Sequence, residues 1–141
     1  MNRSQKREFA FKLLYQIEVQ KEVNEEAINL YFENNQIVDE EAKEYISDIA
    51  NGVYTNLEKI ESMIQKNIKD EWKIERISKI NLALLKLAIY EISYSKLPYK
   101  VVINEVVELA KKYGEEASQS FVNGVLASVV KENVWDLNQF Q

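Results

Sequence analysis

The sequence predicts an all-α protein built as two packed three-helix bundles, and three observations carry that expectation. Apolar residues recur at helical spacing through most of the chain. One proline and three glycines among 141 residues are too few for a turn-rich β architecture. The few helix-breaking signals also divide the chain into two comparable halves. One domain over 1–141 is therefore expected, with an N-terminal half over 1–70, a C-terminal half over 71–132 and an apolar tail over 133–141.

The first helix is expected from about Ser4, its candidate N-cap, to Val19, with Phe9, Leu13 and Ile17 on one line. Asn24 followed by Glu25 and Glu26 reads as a cap with acids in the first turn, opening a short helix that stops near Asn34-Asn35. Asp39 caps a longer helix, in which Ala42, Ile46, Ile49, Val53, Leu57, Ile60 and Ile64 keep helical spacing past Gly52. Asp70-Glu71-Trp72-Lys73 interrupts the pattern and reads as the link between halves. Beyond it, Ile80, Leu84, Leu87 and Ala88 belong to an unusually apolar helix expected at the centre. Pro98 resets the chain before a helix through Val102, Val106 and Tyr113, with Gly114 placed for a left-handed C-terminal cap. Glu115-Glu116 starts a last helix through Phe121, Val125 and Val129. Asn51-Gly52-Val53-Tyr54 and Asn123-Gly124-Val125-Leu126 echo each other in the third helix of each half.

No cysteine and no histidine are present, which removes disulfides, thiolate chemistry and the usual proton shuttle. There is no phosphate-cradling glycine loop, no nucleophile with a base and no metal-ligand spacing, so neither catalysis, a metal nor a cofactor is expected. The clustered acids Glu25-Glu26 and Asp39-Glu40-Glu41 sit at helix starts, where they meet the helix dipole. The longest apolar run, Leu82 to Tyr90, is interrupted by Lys86, so no membrane span is expected and the protein reads as cytoplasmic.

The net charge of −5 is unevenly placed. Arg3, Lys6, Arg7 and Lys12 oppose Glu8 alone in the first fifteen residues, whereas residues 16–48 are strongly acidic. Arg3, Lys6 and Arg7 fall on neighbouring positions of a helix start, where they oppose the helix dipole but can reach phosphates; a solvated terminus is the plainer reading. Phe121 offers an aromatic face for stacking on an unpaired base, with Ser118, Gln119 and Ser120 as nearby hydrogen-bonding groups. It also has the spacing of a core residue with Val125. Gly124 inside a helix costs about 1 kcal/mol relative to Ala, and close approach of a neighbouring helix is the expected reason. Asn104 and Asn123 are expected to bond inside the bundle. The tail, with Val134, Trp135, Leu137 and Phe140, is expected to dock on the body, with a homodimer contact as the alternative.

Several of these stretches together resemble the NusB family over roughly residues 3–131. They are Pro98-Tyr99-Lys100-Val101 with Ile103-Asn104-Glu105, Glu108-Leu109-Ala110-Lys111, and Phe121-Val122-Asn123-Gly124-Val125-Leu126. Arg7-Glu8-Phe9-Ala10 leading to Leu13-Leu14-Tyr15, Trp72 to Ile77, and Ala88 to Ile92 add to the likeness. The resemblance implies two three-helix bundles and a factor that binds boxA-type single-stranded RNA together with the ribosomal protein NusE. Its setting would be the RNA polymerase antitermination complex on ribosomal RNA genes. By position it implies RNA contacts at Arg3, Ser4, Lys6, Arg7 and Phe121, with Gln119 beside them, and partner contacts at Tyr15, Asn81 and Tyr90. Ser4 and Gln5 stand where cations are common in the family, and Lys86 stands for a frequent Arg, so weak RNA binding without the partner is expected. Two rival readings are a protein-binding helical module or homodimer, and a domain related to those of ribosomal RNA methyltransferases.

Overall fold

The computed structural model describes residues 1–69 and 71–133, and these form seven α-helices and one 3-10 turn with no strand among them. Helix α1 spans Arg3–Gln20. Its cap is Asn2 rather than Ser4: the Asn2 side chain accepts the Gln5 N–H and the Gln5 side chain accepts the Asn2 N–H, each at 2.8 Å. Asn24 caps α2 (Glu25–Asn34) and Asp39 caps α3 (Glu40–Thr55), as their residue types predict.

The single long helix expected after Asp39 is two helices. Asn56 breaks it, with φ −109° and ψ 21°, and α4 (Leu57–Lys66) follows. Both the backbone N–H and the side-chain amide of Asn56 donate to the Gly52 carbonyl, at 3.1 and 2.8 Å, so a side chain competes for a helix acceptor. The apolar spacing runs through the break because Val53, Ile60 and Ile64 all enter the same core.

A 3-10 turn at Ile74–Arg76 leads into α5 (Lys79–Ser93), capped by Ser78. Helix α6 (Tyr99–Tyr113) begins directly after Pro98, and α7 spans Ser118–Glu132. Gly114 is extended, with φ −89° and ψ −173°, not left-handed. The last helix opens at Ser118 instead of Glu115, because the Ser118 Oγ takes the Glu115 N–H at 2.9 Å and holds that residue outside the helix. Every residue from Leu82 to Ile89 is buried, and α5 packs against α1, α3, α4, α6 and α7. One continuous core thus surrounds α5.

The close approach expected at Gly124 is found at Gly52 instead. A Cβ on Gly52 would lie 2.2 Å from the Tyr90 ring, so close approach to a helix backbone occurs there. A Cβ on Gly124 would meet nothing within 4 Å. Asn104 and Asn123, expected to bond inside the bundle, are exposed. The tail's expected docking concerns residues 134–141, which lie outside the described residues. Among the described residues no helix is long and apolar enough to cross a membrane.

Candidate nucleic-acid interface

The first turn of α1 leaves Arg3 and Ser4 exposed and Lys6 half-buried, because the capping box turns the helix start outward. Arg7 is different. Its side chain is 1% exposed and is fixed by Glu91, with Nε 2.6 Å from Oε1, and by Glu105, 2.8 Å from Nη1. Burial would push this guanidinium down, but the hydrogen bond and charge of Glu91 outweigh it and hold it above its ordinary value. Arg7 is therefore set apart from Arg3 and Lys6: its guanidinium is engaged by two carboxylates and does not stand free at the surface.

The fold replaces that cation with others the sequence keeps far away. One face of α1 lies along α6: the Ser4 hydroxyl donates to Glu105, Glu8 accepts from Lys112 at 2.9 Å and from the Tyr113 hydroxyl, and the Phe11 and Tyr113 rings are 5.3 Å apart. Lys12 and Lys112 flank the Tyr113 ring at 5.5 and 5.3 Å from its centroid. A groove of about 460 Å³ between the two helices is lined by Ser4, Glu8, Lys111 and Lys112 among others. Lys111 and Lys112 fall in a stretch whose charges balance in sequence, so only tertiary packing reveals them beside the start of α1.

From the end of α6 the chain passes through Gly114 and Glu115 to a second groove, where Phe121 of α7 stacks on Trp72. The rings are 5.9 Å apart and inclined by 24°. Phe121 is half-buried while Trp72, read from sequence as part of a link, is 44% exposed. Arg76, Ser78, Asn81 and Ser118 line the groove on one side of the pair, a space of about 400 Å³. The Oδ1 of Asn81 is buried and has no hydrogen-bond partner among the described residues. Gln119 is half-buried at the start of α7.

The three residues expected to meet a protein partner are not gathered in one place. Asn81 lines the aromatic groove, whereas Tyr90 stands at the other end of α5. There its ring covers Gly52 and stacks on Tyr94 at 5.5 Å. Burial, then the charge of Asp48, pushes the Tyr90 hydroxyl above its ordinary value, so it stays a neutral hydrogen-bonding group. Tyr15 is exposed on α1.

An all-helical body with a lysine-lined groove between two helices and a stacked aromatic pair whose Trp72 is exposed is a small helical protein equipped to hold an anionic polymer with unpaired rings. Comparison with known proteins gives the class its family. The chain belongs to the NusB family, whose family model matches residues 4–131. It is 49% identical to the transcription antitermination protein NusB of Acetivibrio thermocellus, across 93% of this chain and 90% of that protein. Against the transcription antitermination protein NusB of Clostridium acetobutylicum the identity is 47%, across 94% and 98%. Among solved structures, Thermotoga maritima NusB superposes with a TM-score of 0.83 at 33% identity, covering 94% of this chain and 92% of that one. A chain from a crystal structure of antitermination factors NusB and NusE in complex with double-stranded RNA gives 0.83 at 30% identity, covering 94% and 99%.

Proposed function

We propose that this protein is an RNA-binding transcription antitermination factor, not an enzyme, that recognises boxA-type single-stranded RNA jointly with the ribosomal protein NusE during ribosomal RNA transcription. The observations that carry the reading are the groove between α1 and α6, lined by Lys111 and Lys112 beside Ser4 and Glu8, and the Trp72–Phe121 stack. Cations of this kind position a phosphate backbone and aromatic rings take unpaired bases. Family membership supports the antitermination role, and the related complex supports RNA and NusE as ligands. The exposed Tyr15 and the half-buried Tyr90–Tyr94 pair line neither groove and suit the protein partner. With Arg7 withdrawn and acids beside the lysines, affinity for RNA alone is low and the partner supplies the rest.

The test is a titration of labelled boxA-like single-stranded RNA, a scrambled strand and a duplex, with and without NusE, at two salt concentrations. About three to four phosphate contacts on a single strand give a slope of about −2 to −3 in log affinity against log salt. Preference for the boxA-like strand and tighter binding with NusE are expected. Equal binding of the two single strands, preference for the duplex, or indifference to NusE would each overturn the corresponding part.

A further inference from the structure

We infer that the groove floored by Gly124, on the other side of the Trp72–Phe121 pair, is a nucleobase subsite: an unpaired base enters it, packs against Trp72 and lies across the α7 backbone. The inference rests on the RNA-binding reading above and assigns it a specific pocket. Three observations meet there.

The first is an unexplained glycine. Gly52 makes room for the Tyr90 ring and a Cβ on Gly114 would meet Ser118, but Gly124 has open space where its side chain would stand. It sits in the interior of α7, where Gly weakens a helix relative to Ala, and nothing within the described residues uses the room so made. A backbone left bare on a groove floor permits a flat ligand to come closer than any other residue would allow.

The second is the shape and chemistry of the groove. It is an open space of about 230 Å³, walled mainly by Ile68, Trp72, Phe121 and Val125, with Asn67 and Ser120 as polar groups at its edge. That is room for one flat ring system, not for a drug-sized ligand or a helix. Apolar walls with a few edge donors and acceptors suit a heterocycle that stacks by its face and bonds by its rim.

The third is charge. Lys69 lines the same groove and its Nζ lies 6.0 Å from the centroid of the Trp72 ring. A base arriving on Trp72 displaces this cation from the ring and brings with it a phosphate that the cation can meet, while Arg76 lines the groove across the aromatic pair. Phe121, the aromatic that sequence reading singles out, is on this view the half-buried support of the stack and Trp72 is its contacting face.

The experiment uses the full chain and labelled boxA-like single-stranded RNA, followed by anisotropy and by tryptophan emission. The chain has two tryptophans, so a Trp135→Phe background reports Trp72 alone. RNA is expected to quench Trp72 emission in step with the anisotropy change. Trp72→Ala should weaken binding by about tenfold or more, and Trp72→Phe should restore most of the loss. Gly124→Leu fills the groove with a better helix former, so it should raise the melting temperature and weaken RNA binding together, a pairing that a structural role alone does not produce. If the wild-type protein binds RNA while Trp72 emission is unchanged and both Trp72→Ala and Gly124→Leu bind normally, the subsite is wrong and RNA binding stands. If Gly124→Leu impairs NusE binding and leaves RNA binding intact, the groove serves the protein partner and the inference also falls. If no RNA binding is seen at low salt even with NusE present, the subsite and the reading beneath it fall together.

Discussion

Two buried charge clusters join α1 to α5, and they are the same device with the sign reversed. Near the start of α1, Arg7 meets Glu91 of α5, and the Tyr45 hydroxyl of α3 donates to that carboxylate at 2.6 Å. Near its end, Glu18 meets Lys86 of α5, and the Tyr54 hydroxyl of α3 donates to it at 3.3 Å. A second carboxylate completes each, Glu105 at 2.8 Å from Arg7 and Glu61 at 3.2 Å from Lys86. Burial, followed by the neighbouring carboxylate, holds both tyrosines far above their ordinary range, so both remain donors. The clusters differ in what is left if the cation goes. Arg7 engages both oxygens of Glu91, which is 1% exposed, while Glu18 also has Lys21 at 3.7 Å. Arg7 belongs to this pair of internal locks, although its place in the sequence groups it with the surface cations Arg3 and Lys6.

Removing each cation tests that distinction, and the larger effect is expected at Arg7. Arg7→Ala strands a buried carboxylate with only a tyrosine hydroxyl, at a cost of about 3–5 kcal/mol. Against a total of about 5–15 kcal/mol for a domain, the protein unfolds in mild denaturant, and the midpoint in a urea titration measures it. Arg7→Glu, which a surface reading would use to abolish RNA binding with the fold intact, should instead fail to fold. Replacing Arg7 and Glu91 together by Met should recover most of the loss, because a matched apolar pair avoids both desolvation terms.

Lys86→Met should cost less, about 2–3 kcal/mol, since Glu18 keeps Tyr54 and Lys21. The same urea titration orders the two variants. Equal losses at Lys86 and Arg7 would show that the sealed and the partly supported carboxylate are energetically alike, and a greater loss at Lys86 would reverse the order.

The sequence made most elements legible and the contacts of the site far less so, for one physical reason. Caps and breakers act locally: Asn24, Asp39 and Pro98 mark helix starts by chemistry confined to a single turn. The α3–α4 break escaped because apolar spacing reports the face that meets the core, which is continuous across Asn56. The groups that form the interface are brought together from far apart. Glu91 lies 84 positions from Arg7, and Trp72 meets α7 through its stack on Phe121. Likewise Lys112 reaches Glu8 across 104 positions. The two glycines escaped in the same way, because whether a bare backbone is filled by Tyr90 or left open depends on a partner no local pattern names.

Glu8 supplies the smallest effect and the sharpest contrast with the two locks, for its cation is at the surface. Burial would raise its carboxyl, but hydrogen bonds from Tyr113 and Lys112 outweigh that and hold it below its ordinary 4.5. A carboxyl depressed in the folded state contributes stability that is complete above its unfolded value and lost as pH falls through its folded one. Glu8→Gln should therefore melt slightly below wild type at pH 7, by a fraction of the Lys86 effect, and the two melting curves should converge as the pH drops below 4.5. The same substitution releases Lys112 and removes a negative charge from the groove between α1 and α6, so RNA binding at pH 7 and low salt should tighten. Lower stability with tighter binding separates Glu8 from the two buried cations, whose loss is expected to show in stability. Equal loss of both would place Glu8 with the internal locks and leave the groove between α1 and α6 without a role in holding phosphate.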